Sequence, residues 1–278
     1  MACNHTKEER IFATLKDILR ENWEWRKQIP YLAFTDLQKQ ERGAVLGWAW
    51  LFFAPLMRLA VYWFALHLGL KATTNSDIPY LLWLSAGIMP WFYINAMLGA
   101  GSNVYRRYPF LVKRINFPIS VIANFYSLSS FIVYAILMAG TVAVTALTNT
   151  TLTLYALQII PLSLLMYAFF TILSILLSPL SAISRDFANV IKLAVMPLFW
   201  LSGIIFDVNS LSATWLQVIL AFNPVTFFVR GMRAALCEHY WLWERPEILF
   251  PMVVVFIVTT LAALATHKRL GKDVGDVL

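Results

Sequence analysis

"VLGWAWLFFAPLMRLAVYWFAL", residues 45–66, carries a single charge, Arg58, in an otherwise apolar and aromatic run. A hydrocarbon core about 30 Å thick takes roughly 20 such residues as a helix, so the stretch predicts a membrane span. Similar runs recur near 79–101, 119–147, 154–180, 187–206 and 248–266, which with 44–68 gives six predicted spans. Composition points the same way. Of 278 residues, 60% are hydrophobic and only 13% charged, where a soluble domain has roughly a quarter charged; mean hydropathy is +0.67. The expected fold is all-α and integral to the membrane, with residues 44–278 as one six-span domain and no separate soluble unit.

Charge sets the orientation. Lys7, Arg10, Lys16, Arg20, Arg26, Lys27, Lys39 and Arg42 precede the first span, and Arg106, Arg107, Lys113 and Arg114 lie in the loop at 102–118. Arg185, Lys192, Lys268, Arg269 and Lys272 fall on the same side, against Lys71, Arg230, Arg233 and Arg245 on the other. The positive-inside rule then places both termini, the 102–118 loop and the tail at 267–278 in the cytoplasm. A net charge of +7 is accounted for by topology and anionic lipid, without nucleic acid. Residues 1–43 are too charged for the apolar core of a cleaved leader, so the first span is expected to act as its own insertion signal. Within them Ile11, Phe12, Leu15, Ile18, Leu19 and Trp23 recur at helical spacing opposite Lys16, Asp17, Arg20 and Glu21, predicting an amphipathic helix in the interface plane. The alternative is a helix packed on a partner. The two cysteines, Cys3 and Cys237, fall on opposite sides, so no internal disulfide is expected.

Between the fifth and sixth spans, "ATWLQVILAF" and "PVTFFVRGMRAALC" (213–222 and 224–237) are too apolar for a solvated loop and too short to cross. Asn223 before Pro224 is a helix start, an N-cap followed by proline at the first helical position. A re-entrant hairpin dipping into the outer leaflet is the simplest reading; such elements survive only against protein or around a water-filled cavity, which suggests an exit gate. A pair of true spans is the competing reading, and it would leave Arg230 and Arg233 inside the hydrocarbon.

Several chemistries lack their residues. The only Gly-Lys pair, Gly271-Lys272, has no phosphate-binding loop around it, so if ATP is used, another chain binds it and its magnesium. The histidines at 5, 67, 239 and 267 show no metal-ligand spacing, so no metal site is expected. No Asp or Glu lies within the predicted spans, which argues against an ion-coupled flippase and a membrane transferase, both of which need membrane-level acids or bases. Arg58 is the exception near mid-span: it either meets an anionic substrate, or snorkels or binds carbonyls freed by Pro55. Aromatics abound, and those facing a path, for which Trp48, Phe52, Tyr62, Trp91 and Tyr93 are candidates, would offer flat stiff surfaces to a sugar or polyol chain; most others belong to interfacial belts or packing.

The loop "YRRYPFLVKRINFP", 105–118, interleaves its four cations with apolar groups that topology leaves unexplained. A short helix with Phe110, Leu111 and Val112 entering a protein cleft and the cations at its rim accounts for both. In order, "VLGWAWLFFAPLMRLAVYWFAL", "IPYLLWLSAGIMPWFYIN", "FLVKRINFPISVIANFYS", "PLFWLSGIIFD" and "FNPVTFFVRGMRAAL" resemble, over almost the whole chain, the membrane subunits of type 2 ABC exporters for cell-surface polymers. Teichoic acid translocation permeases are most similar, with O-antigen and capsular polysaccharide export permeases near cousins. The resemblance implies a coupling helix docking on a separate ATPase subunit through Tyr105, Arg106, Arg107, Phe110, Leu111, Lys113, Arg114 and Phe117. It further implies a plasma-membrane homodimer with two ATPase copies, a channel enclosed by spans one, two and five of each copy, and export of a lipid-linked anionic polymer. At the gate helices it implies, 213–237, Arg230 and Arg233, three apart, would meet phosphates near the exit beside Phe222 and Phe227. Arg58 departs from the family pattern, which has a neutral polar residue there.

Overall fold

The computed structural model describes residues 7–40, 46–71, 78–113, 117–147, 153–270 and 274–277, and helices make up nearly all of them. Arg114, Cys3 and the Gly271-Lys272 pair lie outside the described residues. The lead-in to the first span is two helices, α1 (Lys7–Glu24) and α2 (Gln28–Gln40), where the periodicity predicted one. Neither lies free. α1 packs on the third and last long helices and α2 along the third. On α1, Ile18 is buried while Leu19 and Trp23 stay exposed, so the predicted apolar face is divided between protein and surroundings.

The first span is a composite. A short 3-10 turn leads into α3 (Trp50–Trp63), which loosens into a π-helical turn over Phe64–Gly69. There follow α4 (Tyr80–Gly99), two single-turn helices α5 (Val104–Arg107) and α6 (Pro109–Val112), then α7 (Ile119–Leu147) and α8 (Ile159–Ile183). After α9 (Arg185–Leu201) come α10 (Thr214–Ala221) and α11 (Pro224–Arg233), and finally α12 (Pro246–Leu270) and α13 (Val274–Val277). Five helical stretches are long and apolar enough to cross a membrane: Gly47–Gly69, Tyr80–Arg107, Ile119–Leu147, Leu154–Ile183 and Pro246–Leu270. The predicted span at 187–206 folds as the 17-residue α9, about 25 Å at 1.5 Å per residue and so short of the hydrocarbon thickness by itself.

Burial separates the spans sharply. The most apolar window of the α4 stretch is 78% buried and that of the first span only 6%, so α4 is the axis and α3 a peripheral helix. An α4 apolar all round can sit in lipid or in protein; here α7, α8, α9, α11 and α3 surround it. Lipid tails and leucines attract one another about equally, so packing of this kind depends on close van der Waals contact and on hydrogen bonds between helices. Small polar side chains supply the latter. Ser174 Oγ and Ser178 Oγ of α8 donate to the Gly101 carbonyl at 2.6 and 3.0 Å, pinning the lower end of α4. Tyr93 bonds Ser127 at 2.8 Å and Tyr134 bonds Ser163 at 2.7 Å, each across a helix pair. Replacing Ser174 and Ser178 together by Ala leaves the Gly101 carbonyl without these donors and should destabilise the protein by about 1–2 kcal/mol, read as a lower midpoint of thermal unfolding in detergent.

Candidate functional sites at the two ends of the bundle

At the α5–α6 end, the chain turns sharply between two short helices. Tyr108 leaves the helical region (φ −124°, ψ 54°), and Pro109, which needs no N–H partner, opens α6. The turn divides the predicted docking residues into two groups. Tyr105 is fully buried, Leu111 and Val112 nearly so. Arg106 points inward, donating from Nε to the Ser181 carbonyl and from Nη2 to the Ala182 carbonyl, both at 2.7 Å. There it neutralises the last carbonyls of α8, where a cation is favoured by the helix dipole. Phe117 packs edge-on to Trp25 at 4.8 Å. What remains outward is Arg107, Lys113 and Phe110, the last 60% exposed. Lys39 of α2 joins them, its ammonium 6.0 Å over the Phe110 ring. The expected docking set is therefore corrected for Tyr105, Arg106 and Leu111, whose side chains are occupied inside the bundle. α2, absent from that set, contributes a cation.

Behind this surface a polar layer joins α1 and α2 to the bundle. Asp36 is only 4% exposed and accepts hydrogen bonds from the Tyr108 hydroxyl, from Ser129 Oγ at 2.8 Å and from Gln40 Nε2 at 2.9 Å. Burial, with the Asp36 carboxylate second, raises the Tyr108 hydroxyl well above its ordinary pKa and keeps it a donor. From α1, Glu21 accepts from Ser120 Oγ at 2.5 Å. Asn22 accepts from Asn124 Nδ2 at 2.7 Å, and Asn124 in turn accepts from the Tyr167 hydroxyl.

Along the bundle the predicted path residues part company. Arg58 is exposed on α3, and no partner holds it among the described residues. Trp48 is also exposed, at 44%. Tyr62 and the buried Trp91 converge on Phe199 of α9, with ring centroids at 5.1 and 5.4 Å. Phe52 lines an apolar groove of about 410 Å³ with Leu59, Ser85 and Met89. Tyr93 is buried among Phe131, Tyr134 and Phe170, which removes it from any path along this protomer's surface.

At the far end, α10 and the continuous helical stretch Pro224–Glu238 meet at 95°, a bend compatible with a broken span or a re-entrant loop. Asn223 makes the corner. Its Oδ1 caps α11 by accepting from Val225 N at 2.9 Å, while Nδ2 donates to Ser202 Oγ at 2.8 Å. Phe222 is 46% exposed, but Phe227 is buried at 2%. The two arginines also separate. Arg230 sits at the rim of a polar pocket of about 480 Å³ with Glu238, Tyr240, Arg245 and Glu247, and donates to Asn209 Oδ1 at 3.0 Å. Burial, with Glu238 second, pushes the Tyr240 hydroxyl up to about 12.

Arg233 points into the protein and is 3% exposed. It donates to the carbonyls of Gly203 at 2.6 Å and Ile204 at 2.5 Å, with longer contacts of 3.4 Å to Phe206 and 3.5 Å to Trp83. Its Cζ stands 3.4 Å over the Trp83 ring. From there Tyr80, His67 and Trp63 continue a stack at 5.8, 5.3 and 5.7 Å, ending on α3. The expectation that Arg233 meets phosphate is corrected: its donors are taken up by the turn after α9. Close approach requires glycine twice. A Cβ on Gly87 would lie 2.7 Å from Arg233 Nη2, and Gly203 holds φ at +71°. Charge and spacing alone put both arginines on one face; the Gly87 gap beneath Arg233 is a tertiary fact.

Arg233→Met leaves the Gly203 and Ile204 carbonyls unpaired in the interior and should destabilise by about 2–4 kcal/mol. Arg230→Met, at the pocket rim, should change stability by less than about 1 kcal/mol. Thermal unfolding of the detergent-solubilised variants separates the two.

Comparison with known proteins places these features in one frame. Residues 27–237 match the model of the ABC-2 type transporter family. Over 106 residues the chain is 24% identical to the O-antigen export system permease protein RfbA of Myxococcus xanthus, a match that covers 38% of this chain and 39% of that protein's length.

Proposed function

The chain belongs to the ABC-2 type transporter family, and from that membership we propose that it is the permease subunit of an ATP-driven exporter of lipid-linked cell-surface polymers. The observation that carries the reading is the extent of the family match, which takes in α2, the outward surface at 107–113 and both gate helices. A separate ATPase subunit, two copies per transporter, binds ATP and magnesium and docks on Arg107, Phe110 and Lys113. A second permease copy covers α3 and the outer face of α9, where Leu193 and Met196 are 74% and 70% exposed. Two such copies with two ATPases enclose the polymer path.

Six crossings with both termini in the cytoplasm fit this arrangement. α9 starts beside the α8 end that Arg106 caps, and the turn following it reaches Trp83 near the opposite end of α4 through Arg233. It therefore traverses the depth of α4 although it is short, with the 202–206 turn completing the distance. The bent pair α10–α11 then lies at the outer surface as a re-entrant gate, and α12 returns the chain. ATP-driven closure of the partners would draw the two coupling surfaces together and rotate the helices as rigid bodies, opening the gate.

Two polymers fit the path. The relative's name supports an O-antigen type polysaccharide. Arg58, exposed and unpaired among the described residues, favours an anionic chain such as teichoic acid. Copurification with a candidate ATPase, followed by hydrolysis assays with each lipid-linked polymer, tests the reading; a wild-type chain that recruits no ATPase overturns it. Phe110→Asp should weaken ATPase capture by tenfold or more while membrane insertion is unchanged, measured by pull-down against the membrane fraction. Arg58→Gln should lower export of a polyol-phosphate chain at least fivefold and leave a neutral polysaccharide unaffected, measured as polymer delivered into inverted vesicles.

A further inference from the structure

Asp36 presents a problem of chemistry. Its carboxylate is buried between α2, the α5–α6 turn and α7, and its hydrogen bonds come from neutral groups: the Tyr108 hydroxyl, Ser129 Oγ and Gln40 Nε2. No ion pair to it exists among the described residues. Arg107 acts on it through the field alone, its guanidinium lying over the Tyr108 and Tyr126 rings at 5.9 and 5.3 Å. A buried carboxylate without a bonded cation is a poor way to gain stability, because an apolar side chain would fill the same space without the desolvation penalty. Its geometry has another consequence. One carboxylate accepts from Tyr108, the residue between the two single-turn helices, and from Ser129, a third of the way along a 29-residue helix. Both donors are tied to this one carboxylate, so a shift of the turn against α2 or α7 strands a buried charge.

We propose that Asp36 is a positioning residue for transport, which makes α2, the α5–α6 turn and α7 move as one rigid unit when the turn is pushed by the ATPase. The proposal rests on the permease reading above. It assigns α2 the part of a lever bound to the docking surface, whose Lys39 already stands over Phe110. Glu21 and Asn22 of α1, held by Ser120 and Asn124, extend the same unit further along α7.

The test uses the full permease–ATPase complex in proteoliposomes, with three readouts: ATPase copurification, hydrolysis rate, and polymer moved per ATP hydrolysed. Tyr108→Phe removes only the hydroxyl and keeps the ring against Phe125; Asp36→Asn removes the charge at constant size. Each should assemble normally and hydrolyse ATP within about twofold of wild type while polymer moved per ATP falls about tenfold. The double variant should be no worse than the worse single one, since both break the same bond. Asp36→Glu should recover part of the ratio. An unchanged ratio in Tyr108→Phe overturns the proposal, as does a parallel loss of hydrolysis and transport, which would mark Asp36 as merely structural. Should Asp36→Asn fail to assemble, Tyr108→Phe alone decides. Failure of the wild-type chain to recruit an ATPase counts against the permease reading instead.

Discussion

Among the described long apolar stretches that of α4 is the most deeply buried, and both ends of the bundle hang from it. With 78% of its most apolar window buried, most of its contacts are settled by fit against other helices. At one end the Gly101 carbonyl takes two serine hydroxyls from α8, and α5 starts three residues on. At the other, the missing side chain of Gly87 makes room for the Arg233 guanidinium, which joins α4 to the turn after α9. Movement of α9 relative to α4 therefore has to pass through Arg233. Helix α11 carries that arginine in its last turn, so α11 and the turn after α9 share a single bolt.

The membrane class and the position of most long helices were legible in the sequence, because apolar runs about 20 residues long have few other uses. The N-cap at Asn223 was legible for a similar reason: Asn followed by Pro satisfies one orphan donor and removes another. Which helix is central was not legible. α3 and α4 are comparably apolar, and only tertiary packing makes one 6% and the other 78% buried over its window. α2 escaped notice because its inward face includes Asp36, a residue that periodicity counts as solvent-facing. The short length of α9 was hidden too, since apolar residues continue past Leu201 into a turn that Gly203 bends.

The candidate site was read less well than the fold, and the arginines show why. Sequence assigns a charge to a loop or a span but not a direction to a guanidinium. Arg106 and Arg107 are neighbours, yet the first reaches the carbonyls at the end of α8 while the second lies outside over two tyrosine rings. Arg230 and Arg233 differ in the same way. In each pair the inward arginine satisfies backbone carbonyls that a helix end or a tight turn leaves unpaired, while the outward one lies over tyrosine rings, as Arg107 does, or bonds Asn209 at a pocket rim, as Arg230 does.

That division has a mechanical meaning. A guanidinium that bonds carbonyls rather than carboxylates holds the backbone itself, and backbone positions cannot relax by rotating a side chain. Arg106 fixes the end of α8 to the α5 turn, and Arg233 fixes the turn after α9 to α4. Asp36 does the converse with an anion, gathering hydroxyls from α7 and the turn between α5 and α6. Together they leave α3 as the weakly attached member. It touches α4 and α7 over a limited face, and its far end, loosened into a π-helical turn, reaches the bolt at Arg233 through stacked rings of Trp63, His67, Tyr80 and Trp83. Stacked rings slide past one another at little energetic cost compared with breaking a buried charged hydrogen bond. The connection from α3 to Arg233 therefore runs through stacked rings and not through the two backbone clasps.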